Sequence, residues 1–171
     1  MLRLVAIAFL AFVARSEIID RIEVTVDHHV ITELQIEEEL RVTALLNQEP
    51  VLNDLEHRRA AANRLVQQTL LQREMALTRY PSEEPDADTA TAAVRSAYGS
   101  ASAFQQALAS YKLTEDIVRR HLAFQMTTLK FVNGRFRPEQ DSRDTGLDTW
   151  LAQARRHANI IYVDRSLKPG P

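Results

Sequence analysis

Residues 22–46 of the chain read IEVTVDHHVITELQIEEELRVTALL, and the fold is decided there. Ile22, Val24 and Val26 alternate with Glu23 and Thr25, the period-two pattern of a half-buried strand. Asp27-His28-His29 interrupts the run and Val30-Ile31 resumes it, which predicts a tight hairpin. Thr32 then opens a helix. Its hydroxyl can accept from backbone N–H groups of the first turn, and Gln35, three residues on, completes a capping box. Ile36, Leu40, Val42, Leu45 and Leu46 form one apolar helical stripe, with Glu33, Glu37, Glu38 and Arg41 mainly on the wet side.

The rest of the chain suits a helical domain built on this start. Its 171 residues are enough for one domain with a real core. Only four are glycine, and Ala, Leu, Gln, Glu and Arg are plentiful, which favours helix. Hydrophobic residues make up 45% and the net charge is −2, the balance of a globular protein rather than of a disordered tail or a nucleic-acid binder. Acids outnumber bases from Glu17 to Glu56. The balance reverses after Tyr111, with Arg119, Arg120, Lys130, Arg135, Arg137, Arg155 and Arg156. The expectation is that the two ends pack together and their charges complement one another. No nucleic-acid partner is expected, because the basic residues form no compact run. The chain has no cysteine, which excludes disulfides, thiolate catalysis and Cys-containing zinc sites within it, as well as a lipidated cysteine.

Met1 to Ser16 has the parts of a secretory leader: Arg3, the apolar run Leu4 to Ala14, and small residues Ala14 and Ser16 placed for cleavage before Glu17. The run is shorter than the about 20 apolar residues that span a bilayer. Export is the expectation, with no stable membrane span after cleavage. The alternatives are an N-terminal strand or buried helix of the domain, and an uncleaved anchor.

Beyond the first helix, Asn47 to Asn53 with Pro50 is a connector, and Asn53 with Glu56 is placed to cap a long helix from Asp54 to about Arg79. Leu55, Ala62, Leu65, Val66, Leu70 and Met75 give it a buried stripe. Tyr80-Pro81 stops it, and Ser82 to Asp88 is an acidic loop. A short helix over Thr89 to Ala97 ends at Gly99. Ser100 or Ser102 caps another, bearing Phe104, Leu108 and Tyr111. Thr114 with Glu115 and Asp116 opens a second long helix that Asn133-Gly134 ends near Val132, with a stripe of Ile117, Val118, His121, Leu122, Met126, Leu129 and Val132. Glu139 to Thr145 is a polar linker, Leu147 to His157 a closing amphipathic helix, and Ile160 to Val163 a short strand. Arg165 to Pro171 is expected to be a loose tail.

The opening IDRIEVTVDHHVITELQIEEEL resembles the start of the mature SurA-type periplasmic chaperones, through Ile19-Asp20-Arg21-Ile22, Val24, Val26, Val30 and Ile31. YKLTEDIVRRHLAFQMTTLKFV is similar to a later part of that family's pattern, a small helix, a lysine-turn-Thr/Ser-acidic step and a further helix, with Arg119 or Arg120, Leu122 and Gln125 in matching places. Ala158-Asn159-Ile160 fits the strand that returns to the hairpin. After Arg135-Phe136-Arg137-Pro138, relatives enter a parvulin prolyl isomerase module; here only the short linker follows, so no isomerase activity is implied. The resemblance implies a mainly α fold with a small three-stranded sheet, made of an N-terminal β-hairpin and a C-terminal strand, with five to six helices, two of them long. The division is a leader over 1–16, a chaperone domain over 17–164 and a tail over 165–171. It implies a periplasmic chaperone that holds unfolded or outer-membrane-bound polypeptides without ATP, with no cofactor.

Client-facing candidates are Phe104, Tyr111, Phe124, Met126, Phe131 and Phe136, several of which, Phe124 and Phe131 among them, lie off the main stripe of their helix. The alternative for each is a place in the core. His28 and His29 are adjacent, so on a strand they diverge and make a poor metal site. Glu37-Glu38-Glu39 is expected to be a solvated face, and His57, His121 and His157 stand isolated in sequence. No phosphate loop, HExxH or GxSxG pattern occurs, and no catalytic or metal-binding residue is expected. The rival reading is an assembly subunit with one dedicated partner, or a homodimer formed by strand exchange.

Overall fold

The computed structural model describes residues 20–80, 87–136 and 143–170, with 143–145 described by their backbone. The expected leader, and most of the expected acidic loop and polar linker, lie outside the described residues. Strands β1 (Ile22–Val26) and β2 (His29–Thr32) lead into helices α1 (Glu33–Asn47), α2 (Leu55–Leu77), α3 (Ala87–Ala97), α4 (Ala101–Ser110), α5 (Glu115–Arg135) and α6 (Arg143–His157). The chain then forms β3 (Ile160–Tyr162) and a 3₁₀ turn over Arg165–Leu167. The protein is mainly helical, and its antiparallel sheet has the order β2-β1-β3, so the C-terminal strand does return to the hairpin.

Local chemistry explains the starts. Thr32 Oγ1 accepts from Gln35 N–H at 3.3 Å while Gln35 Oε1 accepts from Thr32 N–H at 2.9 Å, the reciprocal box that the sequence calls for. Ser100 and Thr114 cap α4 and α5 one way only, each side chain accepting from the N–H three residues on. At α2 the cap is Asp54 rather than Asn53: its carboxylate accepts from His57 N–H at 3.0 Å and also bonds the His57 ring. A carboxylate opposite the positive end of a 23-residue helix is favoured over a neutral amide. Asp27, at φ 53°, turns the hairpin; its N–H donates to Asn159 O and its Oδ1 accepts from Asn159 N–H, both at 2.9 Å. That pair pins β3 beside β1.

Three apolar clusters hold the molecule. Val24, Val26 and Ile31 of the sheet pack with Ile36, Leu40, Ala61, Ala62, Val66 and Leu70. Val42 and Leu45 meet Phe104, Leu108, Leu113 and Val118. Leu71 and Met75 meet Phe131, with Tyr80, Phe124, Val132, Leu147 and Trp150 around them. Helices α1 and α2 each serve two of these clusters, so they are the frame on which the others lean.

Several expectations are corrected. Helix α5 passes through Asn133-Gly134 to Arg135: Phe131 and Val132 pack against α2, Arg135 pairs with Glu74 at 3.1 Å, and these contacts outweigh the cost of one glycine. Phe131 is not off the buried side of α5 but one of its two fully buried residues, edge-on to Tyr80 at 5.1 Å, whereas Leu129 and Leu55 are exposed. Helix α6 begins at Arg143, four residues earlier than expected. The expected tail starts with an ordered turn in which Leu167 is fully buried against the sheet cluster and Ser166 O accepts from Arg59 at 2.8 Å. The N-terminal acids are met largely by α2: Asp27 by Arg73, Glu33 by Arg58 and Glu39 by Arg64, instead of chiefly by the C-terminal arginines.

Candidate functional site

Three helical rows converge on one cleft. Gln35, Glu39 and Val42 are spaced four and three on α1, Leu65, Gln68 and Gln72 three and four on α2, and Ile117, His121 and Phe124 four and three on α5. Each spacing keeps its members on one face, and the three faces enclose about 210 Å³. Glu38 and Arg120 stand in the same lining. The surface alternates aliphatic and aromatic carbon with three primary amides, each carrying both a donor and an acceptor.

Its floor is charged. Glu39, predicted to lie on a solvated face, is buried; Oε1 accepts from Arg64 Nε at 2.8 Å, and Oε2 lies 3.7 Å from His121 Nδ1. Arg64 also reaches Thr43 Oγ1 at 3.4 Å, and the other ring nitrogen of His121 meets the Gln125 amide at 2.8 Å. Burial pushes the His121 pKa below its usual value; Glu39 and Glu38 pull it back up, and Arg64 adds to the downward push. At neutral pH the imidazole is therefore uncharged, and Arg64 is the cation that answers Glu39. The residues that line the cleft carry no hydroxyl or thiol.

A second cleft of about 240 Å³ lies between α2 and α6, lined by Leu70, Leu77, Trp150 and Ala154 with Arg73, Glu74, Gln153 and His157. A third, of about 320 Å³, lies between α1, the connector after it and the turn after α4.

The six expected client-facing residues divide. Phe124 is half-buried and lines the first cleft. Phe136 is half-buried beside Trp150, with ring centroids 5.9 Å apart, next to the second. Tyr111 lines the third, and its hydroxyl donates to Glu49 O at 2.7 Å. Met126 is half-buried on α5. Phe104 and Phe131 are buried; Phe104 sits against Tyr98 with Arg95 over its ring at 5.9 Å. Phe124 and Phe131 share the Leu71–Met75 cluster, while Phe104 and Tyr111 belong to another, so the six do not form one surface. Sequence reasoning missed Glu39, Arg64 and Trp150 as site residues. Glu39 had a signal: it stands three residues from both Ile36 and Val42, inside the apolar stripe.

Among the described residues no group of three or more His, Cys, Asp or Glu could hold a metal ion, and no helix is long and apolar enough to cross a membrane. No protein-family profile matches the chain, and no curated protein matches it in sequence.

Proposed function

We propose that the protein is an ATP-independent, chaperone-like module that holds unfolded or outer-membrane-bound polypeptides in the periplasm, without prolyl isomerase or other catalytic activity. The observation that carries this reading is the α1–α2–α5 cleft, where Leu65, Ile117 and Phe124 alternate with Gln35, Gln68 and Gln72. Carbon faces accept a client's apolar side chains, and the amides of Gln68 and Gln72 pair with an extended backbone whatever its sequence, while Gln35, whose oxygen closes the capping box of α1, offers only its NH₂. The resemblance of the hairpin and α5 stretches to SurA-type chaperones supports the same reading. Holding then works by mass action: a protein that binds the unfolded chain lowers the concentration available to aggregate.

The test dilutes a denatured outer-membrane β-barrel protein into buffer with the protein and no nucleotide, and follows light scattering. Suppression is expected at near-stoichiometric ratios, weakened in Phe124→Ser, which removes the ring from the cleft wall. Full aggregation in the presence of the folded protein overturns the proposal.

One observation favours the rival, an assembly subunit that exchanges strands. Strand β3 is a three-residue edge, and Ile161 within it and Val163 just after it are half-exposed. A concentration-dependent dimer by analytical ultracentrifugation, lost in Ile161→Lys, would select that reading.

A further inference from the structure

The α1–α2–α5 cleft carries a titratable ring in its lining, and polypeptide holding alone gives that ring no task. The His121 side chain is 13% exposed, and groups from all three helices face it. From α1 come Glu39, with Oε2 3.7 Å from Nδ1, and Glu38; from α2 comes Arg64, which bonds Glu39 Oε1 at 2.8 Å. On α5 itself the Gln125 amide meets Nε2 at 2.8 Å, and Arg120, the residue before the ring, pairs with Asp116. The rest of the lining is uncharged. The 3.7 Å between Nδ1 and Oε2 is beyond hydrogen-bond reach, so the neutral ring leaves Glu39 to Arg64.

A proton changes these contacts in one direction. Both nitrogens of an imidazolium donate, so Nε2 gives its hydrogen to the Gln125 carbonyl oxygen and Nδ1 gains an ionic acceptor in Glu39 Oε2, a contact that settles at about 2.8 Å. The same proton puts a charge in the lining, and a client lying in the cleft withholds water from that charge. In the empty cleft burial already outweighs the pull of Glu39 and Glu38, since the His121 pKa stands below the ordinary histidine value. A client adds to the burial and adds no carboxylate, so occupancy and protonation oppose each other. We infer that His121 is a proton switch for this cleft: a proton on the ring draws it onto Glu39 and expels the client, and a bound client keeps the proton off. The inference rests on reading the cleft as the polypeptide site, and it supplies that site with a means of release on the acid side of about pH 6.5.

The experiment measures, by anisotropy, binding to the full chain of a rhodamine-labelled decapeptide of valine, phenylalanine and threonine, which has no titrating side chain. At pH 5.0 its Kd for the parent should be about twofold or more above that at pH 7.5, and in His121→Gln the two values should agree. Trp150 fluorescence reports that each protein stays folded at both pH values. The ring's own titration, followed by NMR, needs no variant: saturating peptide should lower its midpoint by about 0.5 pH or more. Glu39→Gln should lower the midpoint in the free protein, because it removes the anion that stabilises the imidazolium. A merely structural histidine would give neither the peptide-dependent midpoint nor the loss of pH dependence in His121→Gln. A midpoint that saturating peptide leaves in place, or an equal pH dependence in the parent and His121→Gln, overturns the inference while the chaperone reading stands. A peptide that binds at neither pH overturns the reading of the cleft, and the switch with it.

Discussion

Removing either partner of the Glu39–Arg64 pair should have unequal consequences, because the two partners differ in access to water. Glu39 is 5% exposed, whereas the Arg64 side chain is 40% exposed. In Arg64→Met the carboxylate stays behind in the floor of the cleft with only a neutral imidazole at 3.7 Å. Stranding a buried charge in this way costs about 3 kcal/mol, the lower end of the range for a broken buried pair because His121 remains near. In Glu39→Leu the guanidinium left behind turns to solvent, so the loss is that of a screened pair, about 1 kcal/mol or less. The double variant replaces the pair by carbon and should return close to the parent. At an m-value of about 2 kcal/mol/M in urea, Arg64→Met should lower the midpoint by about 1.5 M at pH 7.5 and Glu39→Leu by about 0.5 M or less. A second axis separates charge from packing. In the parent, burial depresses the His121 pKa, so the unfolded chain binds the proton more readily. The stability that this provides is complete above about pH 6.5, the unfolded histidine value, and is lost as pH falls below it. Arg64→Met removes a charge that lowers the His121 pKa and leaves Glu39, which raises it. The imidazolium then becomes Glu39's partner, and the variant's deficit should shrink between pH 7.5 and pH 5.5. Urea midpoints of the four proteins at both pH values decide it. A larger loss for Glu39→Leu than for Arg64→Met, or a deficit in Arg64→Met that does not change with pH, would refute the reasoning.

Leu167→Ala should cost about 2–5 kcal/mol, since a fully buried leucine in the sheet cluster is truncated to a cavity; a midpoint shift within error would mean that the C-terminal turn is not part of the fold. Gly134→Ala should stabilise by about 0.5 kcal/mol, because the position is helical and an added Cβ meets nothing within 4 Å; calorimetry should give a slightly raised Tm, and a lowered one would contradict the helical assignment there.

What could be read from the sequence was what local chemistry controls. The capping box of Thr32 and Gln35, the turn at Asp27, the cap at Thr114 and the strand at Ile160 each depend on a few adjacent residues, and each is found where expected; of the two serines offered for α4, Ser100 is the cap. What escaped depended on distant partners. The β1–β2 register shifts between Ile22 and Val24, so Glu23 and Val24 both turn inward and Ile22 outward; alternation alone cannot reveal a bulge. Glu23 then lies fully buried, bonded to Arg21 at 2.9 Å, with Arg58 of α2 at 3.7 Å, and no local pattern encodes that helix's arrival. Phe131 and Leu129 exchanged roles for the same reason. Which side of α5 is buried is set by α2 passing beside its C-terminal half, where Leu71 and Met75 receive Phe131.

The candidate clefts follow from that dependence on α2. Leu65, Gln68 and Gln72 wall one cleft while Leu70, Leu77 and Arg73 wall another, so the two open on different faces of a single helix. The same helix supplies Arg58, Arg64 and Arg73 to acids of the hairpin and α1. Buried ion pairs contribute little net stability compared with carbon of the same volume, but unlike carbon they are satisfied only in one arrangement. Glu39 lies between Arg64 and His121 in the floor of the cleft whose walls include Phe124 and Leu65. It sets a buried charge beneath the apolar lining. A groove built in this way offers apolar contact and amide hydrogen bonds without a deep dry pocket that would select one sequence, and weak, tolerant binding is what the proposed holding of unfolded chains would require.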